Sequence, residues 1–128
     1  MTTVVAAIIE RGGRILICRR KADQPHPLKW EFPGGKVEPG ESPAQALRRE
    51  LEEELAIRAQ IGPEMERYEF RYPGKTPILL IFHAVTEFSG EPRNVIFEEL
   101  RWAEPKLLPE FDFLEGDVEF VKRLAALA

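Results

Sequence analysis

Between Gly35 and Ile57 the chain runs Gly35, five residues, Glu41, seven residues, then Arg49-Glu50-Leu51-Glu52-Glu53-Glu54, and this stretch dictates a helix crowded with carboxylates. Ser42 suits an N-cap, Pro43 the first helical position, and Gln45 completes a capping box. Ala44, Leu47, Leu51 and Leu55 recur at three- and four-residue steps and predict the buried stripe of a helix over Pro43–Leu55. Glu50, Glu53 and Glu54 then stand at i, i+3 and i+4, so their carboxylates are neighbours and repel. A divalent cation reverses the sign of that interaction, and an all-oxygen donor set favours Mg2+ or Mn2+ over zinc or copper. A solvated acidic face, with Arg48 and Arg49 as counter-ions, is the other reading of the same helix. The preceding loop favours the metal. Phe32-Pro33-Gly34-Gly35 is a tight turn whose backbone comes close to something, and a plain turn does not demand fixed offsets to Glu41 and Arg49.

The rest of the chain supplies a frame for that helix. Its 128 residues are enough for one domain over residues 1–128 with a single core, and 44% hydrophobic with 31% charged residues describes a soluble globular protein. A net charge of −4 argues against holding a nucleic-acid polymer, which calls for basic surface, yet permits one nucleotide whose phosphates a metal neutralises. The lone Cys18 sits in an apolar run as a buried small hydrophobe. With no disulfide framework, signal peptide or spanning segment, the expectation is a reducing cytoplasm and no membrane.

Thr2–Ile9 and Arg14–Arg19 read as strands around an Arg-Gly-Gly-Arg hairpin turn. Lys21–Lys29 is a loop, Trp30–Pro33 a short extended piece, and Arg58–Tyr72 a strand with an irregularity near Gly62-Pro63. Tyr72-Pro73-Gly74-Lys75 turns into a strand over Ile78–Glu87. Leu100–Ala103 is a short strand and Pro105–Leu108 a helical turn. Asp117–Leu127 is a closing amphipathic helix with Val118, Val121, Leu124 and Leu127 on one side. Strands interleaved with helices at two places imply an α/β fold with a sheet covered on both faces.

The run from Gly35 to Ile57 resembles the Nudix box, G-x5-E-x7-R-E-U-x-E-E-x-G-U with U aliphatic. Gly35, Glu41, Arg49, Glu50, Leu51, Glu53, Glu54 and Ile57 fall on its fixed positions, and only Ala56 replaces a glycine. Position 56 lies at the helix end, where glycine eases a left-handed cap, so the change is structural. The resemblance implies the Nudix α/β/α sandwich, with a mixed sheet between helices, and hydrolysis of a nucleoside diphosphate linked to another group with Mg2+ or Mn2+. It implies metal binding by Glu50, Glu53 and Glu54, joined by the Gly35 carbonyl. Glu50 or Glu53 takes the proton of the attacking water, and Arg49 orients carboxylates while reaching toward Glu41. Many family members carry a further glutamate in the loop before the last core strand. Ile96 stands there in this chain, with Glu98 and Glu99 nearby, so the general base stays open.

Arg19-Arg20-Lys21-Ala22-Asp23 and Trp30-Glu31-Phe32-Pro33-Gly34-Gly35-Lys36 look like the MutT branch, which includes 8-oxo-dGTP diphosphatases and CTP pyrophosphohydrolases. By that resemblance Arg20 meets the substrate phosphate or sugar, and Tyr72 and Lys75 lie near the nucleoside. Asp117, or less directly Asp112, reads the base, although Asp117 is also a natural N-cap. The partner implied is a nucleoside triphosphate, cleaved to a monophosphate and pyrophosphate. An oxidised purine such as 8-oxo-dGTP is favoured, with CTP or a modified dCTP second and a nucleotide sugar or dinucleoside polyphosphate beyond. A non-catalytic base-recognition module is disfavoured because all three box glutamates are present. Monomer and homodimer stay open.

Overall fold

The computed structural model describes residues 1–128. Its centre is a ten-residue strand, β1 (Thr2–Arg11), which pairs in parallel with β7 (Ile78–Val85) along its length. The other edge of β1 is shared. Its first half takes β4 (Gly34–Lys36), in the register Val4↔Lys36, Val5↔Gly35 and Ala6↔Gly34. Only its last residues pair with β2 (Arg14–Arg19), through the Arg11↔Arg14 hairpin. β2 carries β3 (Trp30–Glu31) and β9 (Glu99–Ala103), while β6 (Glu64–Phe70) adds to β7. The mixed sheet therefore splays between β1 and β2, and the box turn enters at that split.

Side-chain alternation decides what covers each face. Val5, Ala7 and Ile9 of β1, with Leu16 and Cys18 of β2, pack against α1 (Pro43–Leu55). Ala6 and Ile8, with Ile15 and Ile17, pack against α2 (Glu115–Ala126). The expected layered α/β/α sandwich with a mixed sheet is the fold observed. Leu47, Leu51 and Leu55 of α1 are fully buried and contribute about 1.5–3 kcal/mol each by leaving water.

Several expected boundaries shift for physical reasons. The stretch after the first helix divides at Gly62-Pro63 into β5 (Arg58–Gln60) and β6. The Ile78–Glu87 strand breaks after Val85, and Glu87–Ser89 becomes β8, which pairs with β5 in a separate ribbon. Ala46, not Ala44, completes the α1 stripe. The predicted turn at Pro105 is a 3-10 helix over Pro105–Glu110. The closing helix begins at Glu115 with Leu114 as its N-cap residue, so Asp117 is not the cap. Its buried apolar side chains are Phe120, Val121 and Leu124, while Leu127 is 83% exposed at the helix end. No helix is long and apolar enough to cross a membrane.

Candidate active site

The first turn of α1 forms as its local residues require. The Ser42 Oγ accepts the Gln45 N–H at 3.1 Å, and the Gln45 Oε1 accepts the Ser42 N–H at 2.8 Å, closing the capping box. At the other end Ala56 sits in the left-handed region (φ 56°), its N–H bonded to the Glu52 carbonyl. The departure from glycine is thus accommodated with the backbone shape unchanged, at a local strain cost.

Arg49 organises the carboxylates. Its Nε and Nη2 donate to the two oxygens of Glu41 at 2.7 and 3.0 Å, and Nη1 donates to Glu50 at 2.9 Å and Glu53 at 3.4 Å. Nη2 also reaches the Lys36 carbonyl at 3.2 Å, which ties the helix to β4. Hydrogen bonds from Arg49, then the Glu38 N–H, hold the Glu41 carboxyl down at about 2. The reach from Arg49 to Glu41 expected from sequence is present.

Glu50 and Glu54 face the turn instead of solvent. The Glu54 carboxyl is buried, accepts only a long bond from the Gly34 N–H (3.4 Å), and lies in hydrogen-bonding contact with Glu50. Burial, then the contact and charge of Glu50 and the charge of Glu31, push Glu54 well above the ordinary carboxylate range. Two carboxyls in contact share a proton unless a cation takes its place. Gly35 lies directly over the Glu50 carboxyl, because a Cβ there would stand 2.5 Å from the Glu50 Cδ and 2.7 Å from both its oxygens. Glu53 points outward, 59% exposed, with Arg49 as its ion-pair partner. No three acidic, imidazole or thiol groups converge on one point. The donor set near the turn is two carboxyls and backbone oxygen, which suits a hard cation that keeps water or substrate phosphate in its remaining positions.

A cleft of about 330 Å³ opens beside the turn, and its lining includes Arg20, Glu31, Gly35, Tyr72 and Asp117. The splayed sheet brings these residues together from widely separated segments. Arg20 donates from Nη1 to Glu31 (3.0 Å) and from Nε to the Pro25 carbonyl (2.8 Å). Asp117 is 7% exposed, with its carboxyl near the Phe32 backbone. Burial, then the charge of Glu31, pushes Asp117 up to about 8, so at neutral pH it is chiefly an uncharged acid. Tyr72 is at the wall with its hydroxyl accepting the Gly116 N–H at 3.1 Å. Lys75 lines an adjoining hollow of about 420 Å³ with His26, Lys29 and Lys36, not the Asp117 cleft itself. Asp112 is exposed and paired with Lys29 at 2.8 Å, away from the cleft. The loop before β9 docks on the end of α1 through Arg93 N–H to Leu55 (2.8 Å) and Val95 N–H to Glu54 (3.4 Å). Ile96 is exposed there, and Glu99 is bound to Arg101 at 2.6 Å. Sequence reasoning missed Glu31. Its signal was a charged residue inside the apolar run Trp30–Phe32.

Residues 1–124 match the NUDIX domain family. Over 123 residues the chain is 43% identical to an 8-oxo-dGTP diphosphatase of Escherichia coli K12, covering 96% of this chain and 95% of that protein. It is 39% identical over 127 residues to a CTP pyrophosphohydrolase of the same organism, covering 99% and 93%. A solved MutT structure, from work on Aliivibrio salmonicida and Vibrio cholerae, superposes with a TM-score of 0.83 at 32% identity, covering 99% of this chain and 98% of that one. Nudix hydrolases work with a divalent metal ion, and the oxygen donors gathered beside Gly35 are of the kind such an ion takes. The likeness runs through sheet, box helix and closing helix alike, and the chain belongs to the Nudix hydrolase family.

Proposed function

We propose that this chain is a Mg2+-dependent pyrophosphohydrolase that cleaves a nucleoside triphosphate to a monophosphate and pyrophosphate, favouring an oxidised purine such as 8-oxo-dGTP. The observation that carries the reading is one cleft shared by Asp117 and the Gly34–Gly35 turn, with Glu50 and Glu54 directly behind that turn. A base held at Asp117 leaves its phosphates to run toward the turn. The relatives named as an 8-oxo-dGTP diphosphatase and a MutT protein support the same substrate class.

Glu50, Glu54 and the Gly35 carbonyl are the groups assigned to hold the ion, with Glu53 completing the set from the helix surface. When bound, the ion neutralises polyphosphate charge and makes a water more acidic. The proton of the attacking water goes to Glu50 or Glu53. Glu50 is fixed in place by Arg49 and Gly35, whereas Glu53 reaches solvent. Arg49 acts as an orienting residue, because its donors are engaged by Glu41, Glu50, Glu53 and the Lys36 carbonyl. Arg20, held by Glu31 and Pro25, presents its remaining Nη2 to a phosphate or sugar. The Tyr72 ring borders the nucleoside, and Lys75 meets whatever projects into the adjoining hollow. As an uncharged acid, Asp117 offers one donor and one acceptor side by side, which suits a base edge that also carries both.

Cytosine presents such an edge too, so CTP or a modified dCTP is the second reading, favoured by the relative named CTP pyrophosphohydrolase. Pyrophosphate release with Mg2+ should be measured on 8-oxo-dGTP, dGTP, CTP, a modified dCTP, a nucleotide sugar and a dinucleoside polyphosphate. The highest kcat/KM is expected on 8-oxo-dGTP. A maximum on CTP moves the assignment to the second reading, and no pyrophosphate from any triphosphate overturns both.

A further inference from the structure

Helix α2 enters the substrate cleft without a side-chain cap of its own, since the N-cap residue Leu114 offers none. Two tyrosines from the β6 arm supply the missing partners. The Tyr72 hydroxyl accepts the Gly116 N–H at 3.1 Å, one of the helix's first free donors. The Tyr68 hydroxyl donates to the Gly116 carbonyl at 2.6 Å and accepts the Phe120 N–H at 3.3 Å. It therefore bridges two backbone groups one turn apart, the pair that an uninterrupted helix joins directly. Gly116 makes this approach possible, because a Cβ there would stand 2.9 Å from the Tyr72 hydroxyl and 3.2 Å from Leu80. Asp117 is the next residue.

We propose that Tyr68 and Tyr72 are positioning residues for base choice: their hydroxyls clamp Gly116 and thereby hold the neighbouring Asp117 carboxyl at one fixed place in the cleft. The proposal rests on the base-reading role given to Asp117 above. Bulk packing alone does not supply this precision. Phe120, Val121 and Leu124 anchor α2 to the sheet further along the helix, whereas its cleft end meets the β6 arm through these three hydrogen bonds. The rings themselves are packed independently of the hydroxyls, Tyr68 against Phe82 at 5.7 Å and Tyr72 against Phe70 at 4.8 Å. Removing a hydroxyl keeps the ring in place and releases the first turn. The box helix lies on the opposite face of the sheet and is untouched, so the effect belongs in KM and base discrimination and not in kcat.

The test compares Tyr68→Phe, Tyr72→Phe and Asp117→Ala with wild type by kcat and KM on 8-oxo-dGTP, dGTP, CTP and ATP, alongside thermal melting. Each Tyr→Phe variant is expected to shrink the kcat/KM spread across the panel by about tenfold, equivalent to about 1.4 kcal/mol. The loss should fall in KM for the preferred nucleotide, with kcat within about threefold, since the positioned group binds the base and takes no part in the bond-breaking step. Asp117→Ala is expected to abolish the spread, and adding Tyr68→Phe to it should cost nothing more. If Asp117→Ala abolishes discrimination while the Tyr→Phe variants only melt earlier with the spread intact, the clamp is overturned and the Asp117 reading stands. If Asp117→Ala leaves the spread intact, or wild type shows none, the Asp117 reading fails and the clamp with it.

Discussion

Gly35→Ala separates the chemistry of this site from its fold. A methyl group at position 35 meets the Glu50 carboxyl at 2.5 Å from Cδ and 2.7 Å from each oxygen, against ordinary contact from 3.4 Å. The carboxyl must retreat by about 0.9 Å. It is the far end of a flexible side chain, so it yields by rotating while the β1–β4 register stays in place. That retreat breaks the 2.9 Å bond from Arg49 and separates Glu50 from Glu54, the two acids assigned to the ion. A displacement near 1 Å at a reacting centre costs about 10²-fold in rate. Gly35→Ala is therefore expected to lower kcat about 100-fold and raise the Mg2+ needed for half-maximal rate, with a melting temperature within about 3 °C of wild type. Gly34→Ala gives the opposite pattern. Its methyl would stand 2.0 Å from the Val5 carbonyl oxygen and 2.9 Å from the Ala6 Cα, backbone atoms that cannot yield without breaking the β4 pairing. Loss of soluble protein or severe destabilisation is expected there. Steady-state pyrophosphate release and calorimetry on both variants decide the matter. Full activity in Gly35→Ala refutes the placement of Glu50 against this turn.

Glu53→Gln should fold like wild type, because its side chain is exposed and Arg49 is its ion-pair partner, yet turn over about 10³-fold more slowly; unchanged turnover in a pyrophosphate assay removes Glu53 from the machinery. Ala56→Gly relieves left-handed strain of about 1–2 kcal/mol, offset by about 0.5–1 kcal/mol of added freedom in the unfolded chain, so denaturant unfolding should show a net change between about 0 and 1.5 kcal/mol in favour of the variant. A net loss of stability would mean that Ala56 is not held left-handed in solution. Asp117 is raised to about 8 in the folded chain from an ordinary value near 3.8, so the folded state binds the extra proton between those limits. Its contribution to stability is fully present below pH 4 and is lost as pH rises through 8. The uncharged Asp117→Asn should therefore gain stability relative to wild type across that interval, and parallel stability curves for the two proteins would contradict the buried, protonated acid.

The helix over Pro43–Leu55 was legible to the residue because everything that defines it is local: the Ser42–Gln45 capping box, Pro43, the leucine stripe and the left-handed position at Ala56. The reach of Arg49 to Glu41 is implied by the box resemblance, whereas its bond to the Lys36 carbonyl depends on β4, which no sequence signal marked. The nucleoside end was legible only in part. Asp117 was singled out from its place before a helix, but its burial depends on Trp30, whose N–H and carbonyl bond Asp112 and Leu114 and dock the approach to α2 on β3. No spacing rule links residue 30 to residue 113. For the same reason the roles of Glu31 and Tyr68 are not legible locally, since their partners Arg20 and Gly116 stand 11 and 48 residues away. Tyr72 is expected near the nucleoside from sequence, but the bond of its hydroxyl to Gly116 depends on a contact 44 residues away.

This division has a consequence for how the two ends can vary. The acids assigned to the metal ion lie within one helix behind the Gly34–Gly35 turn, on the face of the sheet packed by Leu47, Leu51 and Leu55. The groups assigned to the nucleoside come from the end of β2, β3, the β6–β7 turn and α2, and α2 itself packs through Phe120 on the other face. β1 separates the two, sending Val5, Ala7 and Ile9 one way and Ala6 and Ile8 the other. A substitution that shifts α2 by a fraction of an ångström changes which base fits without moving Glu50 or Glu54, because the rigid central strand lies between them. The two ends also meet through charge, because Glu31, paired with Arg20, stands near both Asp117 and Glu54. A substitution at Glu31 is therefore expected to act on both ends at once.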